Sequence, residues 1–242
     1  VAVFANLAHN ENRILKISES LKAYNDRVKD HFANSNRFDG SNTQPFTQYV
    51  EGGSQTSIWG VPSLGIDPAT GEEIFIRPDG SITNTWNTND QVVLGDTEPK
   101  IQGTFGLNAT YKNLSLYMTF MYEAGGQIYN STLRDKVEDV NVYTSNVDKR
   151  VFSERWQEPG DKARYRKLTS GVGGSIMRTR PTSRFVEDNN VLTLNSISLG
   201  YDFDAGQKWM KTIGLSMLRF EIGANDVCRW STRIELSLCP EF

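Results

Sequence analysis

The sequence predicts an all-β protein, a stretch of transmembrane antiparallel β-barrel wall with long, partly helical loops. Three observations carry that prediction. First, Ile101–Tyr122 reads as two strands of about ten residues joined by a two-residue turn. Phe105, Leu107, Ala109 and Tyr111 share one parity, as do Leu114, Leu116, Met118, Phe120 and Tyr122 after the turn. Thr104, Gly106, Asn108 and Thr110 take the other, with Ser115, Tyr117, Thr119 and Met121. Strand side chains alternate between faces, so both arms carry one apolar and one mostly polar face. Second, Lys112 is the only charge in that stretch, and it sits in the turn. Third, the arms are long. Strands of a soluble sandwich run to about five or six residues and show charge to water. A membrane-spanning strand needs about nine to eleven, with a lipid face and a polar interior. Tyr111 and Tyr122 stand at the two ends, where interfacial aromatics belong. The pattern leaves one alternative open, a hairpin within a large soluble β-domain.

The bulk numbers exclude some functions and bound the size. At 242 residues the chain accommodates one or two domains. A net charge of −3, with no basic stripe interleaved with aromatics, gives no footprint for nucleic acid. No run approaches the eighteen or so apolar residues of a membrane-spanning helix, a signal that barrel strands never give. The first residue is not Met and the opening already alternates as in mid-strand, so a fragment of a longer protein is expected. Cys228 and Cys239 are too few for a disulfide framework and lack metal-ligand spacing. Two ordinary thiols are expected, with a disulfide open to them in an oxidising compartment.

In chain order, residues 1–8 read as the end of a strand. Within 10–25, Ile14, Leu15, Ile17, Leu21 and Tyr24 suit a short helix or a segment packed under loops. Residues 26–56 are polar and rich in Gly, Asn and Ser, which predicts loop. Ser57–Ile66 is β-rich, turns through Asp67–Gly71 and returns over Glu73–Ile76, and residues 81–100 again read as loop. The segment 123–190 is the longest interruption, and loops of that length are functional or disordered. Within it, Thr132 and Asp135 suit a capping box for a helix over Leu133–Val137. A second helix is expected over Val147–Trp156, ending at Pro159-Gly160, and Gly171, Gly173 and Gly174 read as linker. Strand pattern resumes over Val191–Tyr201. There Leu192 and Leu194 share one parity and Ile197, Leu199 and Tyr201 the other, which predicts a β-bulge near Asn195-Ser196. After a turn with Trp209 available for the membrane interface, a last strand is expected over Ile213–Ala224, with Arg219 and Glu221 off its apolar face. With the Lys112-Asn113 turn periplasmic, short turns fall on one side and long loops on the other, as in outer-membrane barrels.

Several stretches resemble the C-terminal part of the SusC/RagA family of TonB-linked outer-membrane receptors. They are NENRILKIS with LKAYN, EGGSQTSIWGVPSLGIDPATGEEIFIRPDG and VLGDTEPKIQGTFGLNATYKNLSLYMTFMYEAGGQIYN. RWQEPGD, VLTLNSISLGYDF and GANDV follow in family order, so the resemblance spans nearly the whole chain. It implies that residues 1–242 are the C-terminal part of a 22-stranded TonB-dependent receptor barrel in the outer membrane of a Gram-negative bacterium, with the plug domain and the final strand absent. It also implies energy supplied by TonB through the missing N-terminal part, and a SusD-like surface lipoprotein that captures an oligosaccharide or peptide ligand. RWSTRIELSLCPEF departs from the family's ending.

No reaction chemistry is expected. His9 and His31 stand beside no nucleophile motif, and Glu72-Glu73 and Glu187-Asp188 read as solvated loop charge. No cofactor and no metal site is expected. Parity places Asn108, Thr110, Tyr117, Thr119, Arg219 and Glu221 on the hydrated side, where Asn108, Tyr117, Arg219 and Glu221 are candidates to meet substrate. Trp59, Trp86 and Trp156 fall in the loops, free to stack on sugar rings or to pack a loop core. The first expectation is therefore a nutrient importer that works with outer-membrane lipid around it. The runner-up is a soluble β-rich carbohydrate-binding or glycan-degrading domain, and a third class is a surface adhesin.

Overall fold

The computed structural model describes residues 1–34, 42–168, 177–204 and 208–232. In chain order its strands are β1 (Ala2–His9), β2 (Ser57–Gly60), β3 (Ser63–Ile66), β4 (Glu73–Ile76), β5 (Ile82–Thr83) and β6 (Val92–Asp96). Then come β7 (Ile101–Tyr111), β8 (Leu114–Ala124), β9 (Gln127–Tyr129), β10 (Val186–Asp188), β11 (Val191–Phe203) and β12 (Leu218–Ser231). The helices are α1 (Glu19–Asn34), α2 (Ser131–Leu133), α3 (Arg150–Ser153) and α4 (Lys208–Thr212). Two compact units divide the chain. One holds Val1–Glu11, Glu98–Gly126 and the described residues from Asp188 onward; the other holds Asn12–Thr97 and Gln127–Glu187.

The first unit is a wall of five antiparallel strands in the order β1-β7-β8-β11-β12. Its register realises the predicted parity. Tyr111 faces Leu114, Ala109 faces Leu116, Leu107 faces Met118 and Phe105 faces Phe120. Directly opposed residues share a face. Val3 and Ala5 of β1 therefore extend the apolar face on one side, and Ile197, Leu199, Ile222 and Phe220 extend it on the other. The β-bulge is present: β11 loses register between Leu194 and Ser196 against both neighbours. Skipping Asn195 brings Leu192 and Leu194 onto the face of Ile197 and Leu199, the one arrangement that keeps both runs apolar on the same side. The strand charges fall elsewhere. Glu123, Asp202, Arg219, Glu221 and Arg229 all take the polar register, and Asp226 sits in the β12 half of the bulge at a φ of 51°.

Most of the apolar face stays open among the described residues, with Cys228, opposite Leu194, its buried exception. Phe220 and Ile222 are 64% and 62% exposed, and Phe105, Leu107, Leu116 and Phe120 all escape burial. Strand directions also sort the connections. The short ones, 112–113 and 204–217, join strands at one end of the wall, whereas both long ones leave and re-enter at the other.

The second unit has conventional polarity. Ile58, Tyr129, Leu133, Val137, Val140, Val151, Tyr165 and Phe185 form one buried cluster. Val28, Phe32, Val61, Phe75 and Trp86 form another. α1 supplies Val28 and Phe32, four residues apart and so on one helical face.

Several expectations are corrected here. The helix expected within 10–25 starts only at Glu19 and runs to Asn34, into the predicted loop, because Leu21, Tyr24, Val28 and Phe32 make one stripe. Residues 81–100 include β5 and β6, the latter held by pairing with β2 across a long sequence separation. Asn130, not Thr132, caps the 131–133 turn, its side chain accepting from the Leu133 amide at 2.9 Å, and a π-helical turn over Arg134–Glu138 follows. The helix expected over Val147–Trp156 shortens to Arg150–Ser153. β12 begins five residues later than expected, since Gly214 at a φ of 73° and the Leu215 amide bonded to the Met210 carbonyl (3.0 Å) close a helical turn there. Cys228 is disulfide-bonded rather than a free thiol. Cys239, Gly171, Gly173, Gly174 and most of RWSTRIELSLCPEF lie outside the described residues.

Candidate functional site

The polar face of the wall gathers the four predicted strand residues into two zones. Mid-wall, Asn108 lies directly opposite Tyr117, which in turn faces Ser198 of β11. Tyr117 stacks on Phe4 with centroids 6.2 Å apart, so this zone offers an amide, a phenol and hydroxyls on an aromatic base. Nearer the short turns, Arg219 donates to the Ser115 hydroxyl at 3.1 Å and pairs with Glu221 at 3.3 Å and Asp202 at 3.7 Å. The first zone presents neutral hydrogen-bonding groups. The second presents a self-neutralised charge cluster, half exposed and open to water.

The loop unit holds the three tryptophans, each in a different setting. Trp59 sits in β2 opposite Val93. Trp86 is buried in the second core, donates from Nε1 to the Pro181 carbonyl at 3.1 Å and has the Arg180 guanidinium over its ring at 4.8 Å. Trp156 donates to the Pro68 carbonyl at 2.9 Å and covers Gly71. It also borders an open groove of about 420 Å³ with Phe152, Lys167 and Leu168. Phe152 stands 55% exposed at its rim. The helix expected over Val147–Trp156 lasts barely one turn, Arg150–Ser153, with Phe152 in it.

The same unit holds a set of buried charges that the sequence does not reveal. Arg184 holds both oxygens of Glu73 at 2.8 Å and reaches Glu138 at 2.8 Å. Arg166 pairs with Glu138 and Asp139, while Thr179 donates from its hydroxyl and its amide to Asp139, both at 2.8 Å. Arg155 spends its guanidinium on the carbonyls of Val137, Glu138, Val151 and Arg166. Burial alone would push Arg184 down, but Glu138 and Glu73 hold it well above the ordinary guanidinium value. Burial lowers Arg155 and raises the Tyr129 phenol. Glu73 is therefore no solvated loop charge. Glu72 is half-buried and meets Lys167 at 3.1 Å, and Glu187 accepts from Asn130. Bidentate arginines of this kind rigidify a fold, and within this cluster Glu138 Oε2 is buried without a hydrogen-bond partner.

Neither histidine adjoins a nucleophile. His9 bonds through Nδ1 to the Lys100 carbonyl at 2.6 Å, and His31 packs against Phe32 and Phe46. No group of metal-ligating side chains occurs among the described residues. No helix among them is long and apolar enough to cross a membrane.

Two TonB-dependent receptors are similar to this chain in sequence. TonB-dependent receptor P3 of Formosa agariphila is 23% identical over 230 residues, 92% of this chain. TonB-dependent receptor P26 of the same organism is 26% identical over 124 residues, 51% of the chain. Three solved structures share the fold: the RagAB peptide transporter (TM-score 0.69, 19% identity, 95% of this chain), and the RagAB peptide importer in its closed-closed state (0.68, 20%, 94%) and open-open state (0.66, 22%, 94%). The chain is thus similar in sequence to TonB-dependent receptors and shares its fold with the RagAB chains. No family model matches it. It spans 21% and 12% of the lengths of the two Formosa receptors and 23% of each RagAB chain.

Proposed function

We propose that this chain supplies wall strands and external loops to a TonB-dependent nutrient importer of the SusC/RagA type in the outer membrane. One observation carries the reading: a five-stranded sheet keeps its register-paired strand charges off a continuous apolar face that is largely uncovered among the described residues. Hydrocarbon is the solvent that such a face fits. An open sheet edge is not tolerated there, so β1 and β12 require further strands on both sides, in keeping with a 22-stranded closed barrel of which residues 1–242 are the C-terminal part. A plug and a TonB-contacting segment would precede the chain, and a final strand would follow it. The polar face would line the hydrated passage, with Asn108 and Tyr117 offering hydrogen bonds to a passing ligand and Arg219 with Glu221 offering charge. Trp156, on its groove, is the loop tryptophan best placed to meet ligand, whereas Trp59 and Trp86 support the loop architecture. The partner is a SusD-like lipoprotein. A peptide ligand is favoured over an oligosaccharide because the RagAB neighbours are peptide importers.

The test is a pair of substitutions one residue apart in the parent receptor. Leu107→Arg puts a cation on the lipid face near mid-strand, at about 2–4 kcal/mol, and abolishes the heat-modifiable folded band in a semi-native gel. Asn108→Arg leaves that band intact. Equal tolerance of both would remove the lipid-face assignment and return the soluble alternative, which requires a second layer over Phe105, Leu107, Leu116 and Phe120.

A further inference from the structure

At the short-turn end of the wall, the apolar face does not simply stop. Its last cross-strand row is Tyr111, Leu114, Tyr201 and Phe220, and Phe203 opposite Leu218 follows. Beyond it α4 folds back onto the same side. The Trp209 ring meets Phe203 edge-on at 5.7 Å, and Phe203 meets Tyr201 edge-on at 4.9 Å. Met210 is completely buried and pins the helix, so its neighbours Trp209 and Lys211 turn outward. After Gly214 ends the turn, Ile213, Leu215 and Met217 stay exposed, Met217 at 75%. Across the row, Lys112 lays its ammonium over the Tyr111 ring at 5.5 Å, which places that cation on the apolar side of the sheet. Of the acidic residues of this end, Asp202 and Glu221 take the polar register and are engaged with Arg219, while Asp204 is exposed just past the end of β11.

This end therefore combines amphipathic aromatics, exposed aliphatics and two exposed cations, Lys112 on the apolar side and Lys211 on α4, next to the largely uncovered apolar face. A fold that only needed to close a turn would bury Trp209 or replace it. An interfacial anchor needs these side chains together: aromatic bodies at headgroup level, aliphatic tips in the acyl region, and ammonium groups at the phosphates. We infer that α4 with the 213–217 segment and Lys112 forms a binding surface for anionic phospholipid headgroups of the periplasmic leaflet, seated by Trp209. The periplasmic leaflet is the one assigned because both long connections leave the opposite end of the wall. The inference rests on the membrane reading above, and its test separates the two.

The experiment uses the parent receptor in nanodiscs carrying acyl-brominated phosphatidylglycerol or acyl-brominated phosphatidylcholine, with Trp209→Phe as the blank that isolates Trp209 emission. Trp209 emission is expected to be quenched by both lipids. In mixed discs containing both lipids, only one of them brominated at a time, phosphatidylglycerol should dominate at Trp209 by about fivefold for each lysine near the surface. Lys112→Gln with Lys211→Gln should abolish that preference while the protein stays folded by its heat-modifiable band. Equal quenching by the two lipids in the mixed discs, or a preference that survives the double substitution, overturns the anionic surface. A second probe, Leu116→Trp in the Trp209→Phe background, reports the wall alone. Quenching there without quenching at Trp209 overturns the anchor and keeps the wall in lipid; no quenching at either overturns both.

Discussion

The two units of this chain solve opposite solvent problems with the same amino acids. In the wall, Leu, Ile and Phe point outward and stay uncovered, while Thr, Ser, Asn and the charges turn to the other side. In the loop unit, Val, Ile and Phe point inward into two cores, and even arginines are buried among backbone carbonyls and carboxylates. Among the described residues the wall has no core of its own, so its order comes from ladder hydrogen bonds and, on the proposed reading, from a surrounding apolar solvent. The loop unit is ordered by what it encloses. A substitution should therefore fail in the wall by depth and face, and in the loop unit by burial and partnership.

The largest effect expected lies in the loop unit. Arg184→Met leaves Glu73 and Glu138 buried without the cation they share, and breaking a buried pair from one side costs about 3–5 kcal/mol. In the parent receptor the barrel should still form its heat-modifiable band while the loop unit becomes sensitive to brief proteolysis. Adding Glu73→Leu to Arg184→Met should recover part of the resistance, since an apolar pair carries less penalty than an orphaned carboxylate. Loss of the barrel itself would show that the contrast between the units is false.

A smaller effect separates close approach from mere glycine content within the wall. A Cβ on Gly103 would run into the Asn6 carbonyl and the Tyr122 ring, whose hydroxyl donates to that same carbonyl at 3.2 Å. Gly103→Ala must therefore spread β1 from β7, at about 1–3 kcal/mol. On Gly223 the nearest atom to a new Cβ is the Ser198 Cβ at 3.4 Å, an ordinary contact. Gly223→Ala should leave the unfolding temperature of the receptor unchanged while Gly103→Ala lowers it; equal shifts would mean that the aromatic cover over Gly103 has no structural role.

How much could be read in advance follows the same division. The hairpin, the parity of its faces and the bulge at Asn195 were legible, because side-chain alternation is a local property of strands. Glu73 was not, since its partner Arg184 lies 111 residues away and nothing in Glu72-Glu73 announces a guanidinium. β6 was missed for a like reason: Val92–Asp96 becomes a strand only against β2. α1 was legible in retrospect from its stripe, but the polar residues between Tyr24 and Phe32 hid it. The start of β12 was misplaced because Ile213 and Leu215 alternate as a strand would, while Gly214 bends the chain between them. Among site residues, parity found the polar-face positions, whereas no pattern distinguishes Trp86 in a core from Trp156 beside a groove.

The smallest effect tests whether exposed charge in the loop unit matters at all. The Arg150 side chain bonded to Asp148, reinforced by the Arg150 amide, holds the Asp148 carboxyl down at about 2, against an ordinary 3.8. A carboxyl depressed on folding adds stability that is complete above the ordinary value and lost as pH falls through the folded one. Asp148→Asn should therefore lower the melting temperature of the loop unit slightly at pH 5, with the difference from wild type shrinking below pH 4 and gone near pH 2. The pair is open to water, where screening leaves such contacts nearly neutral. A difference as large as that for Arg184→Met, or one that grows on acidification, would mean that surface charge rather than enclosed charge orders these loops.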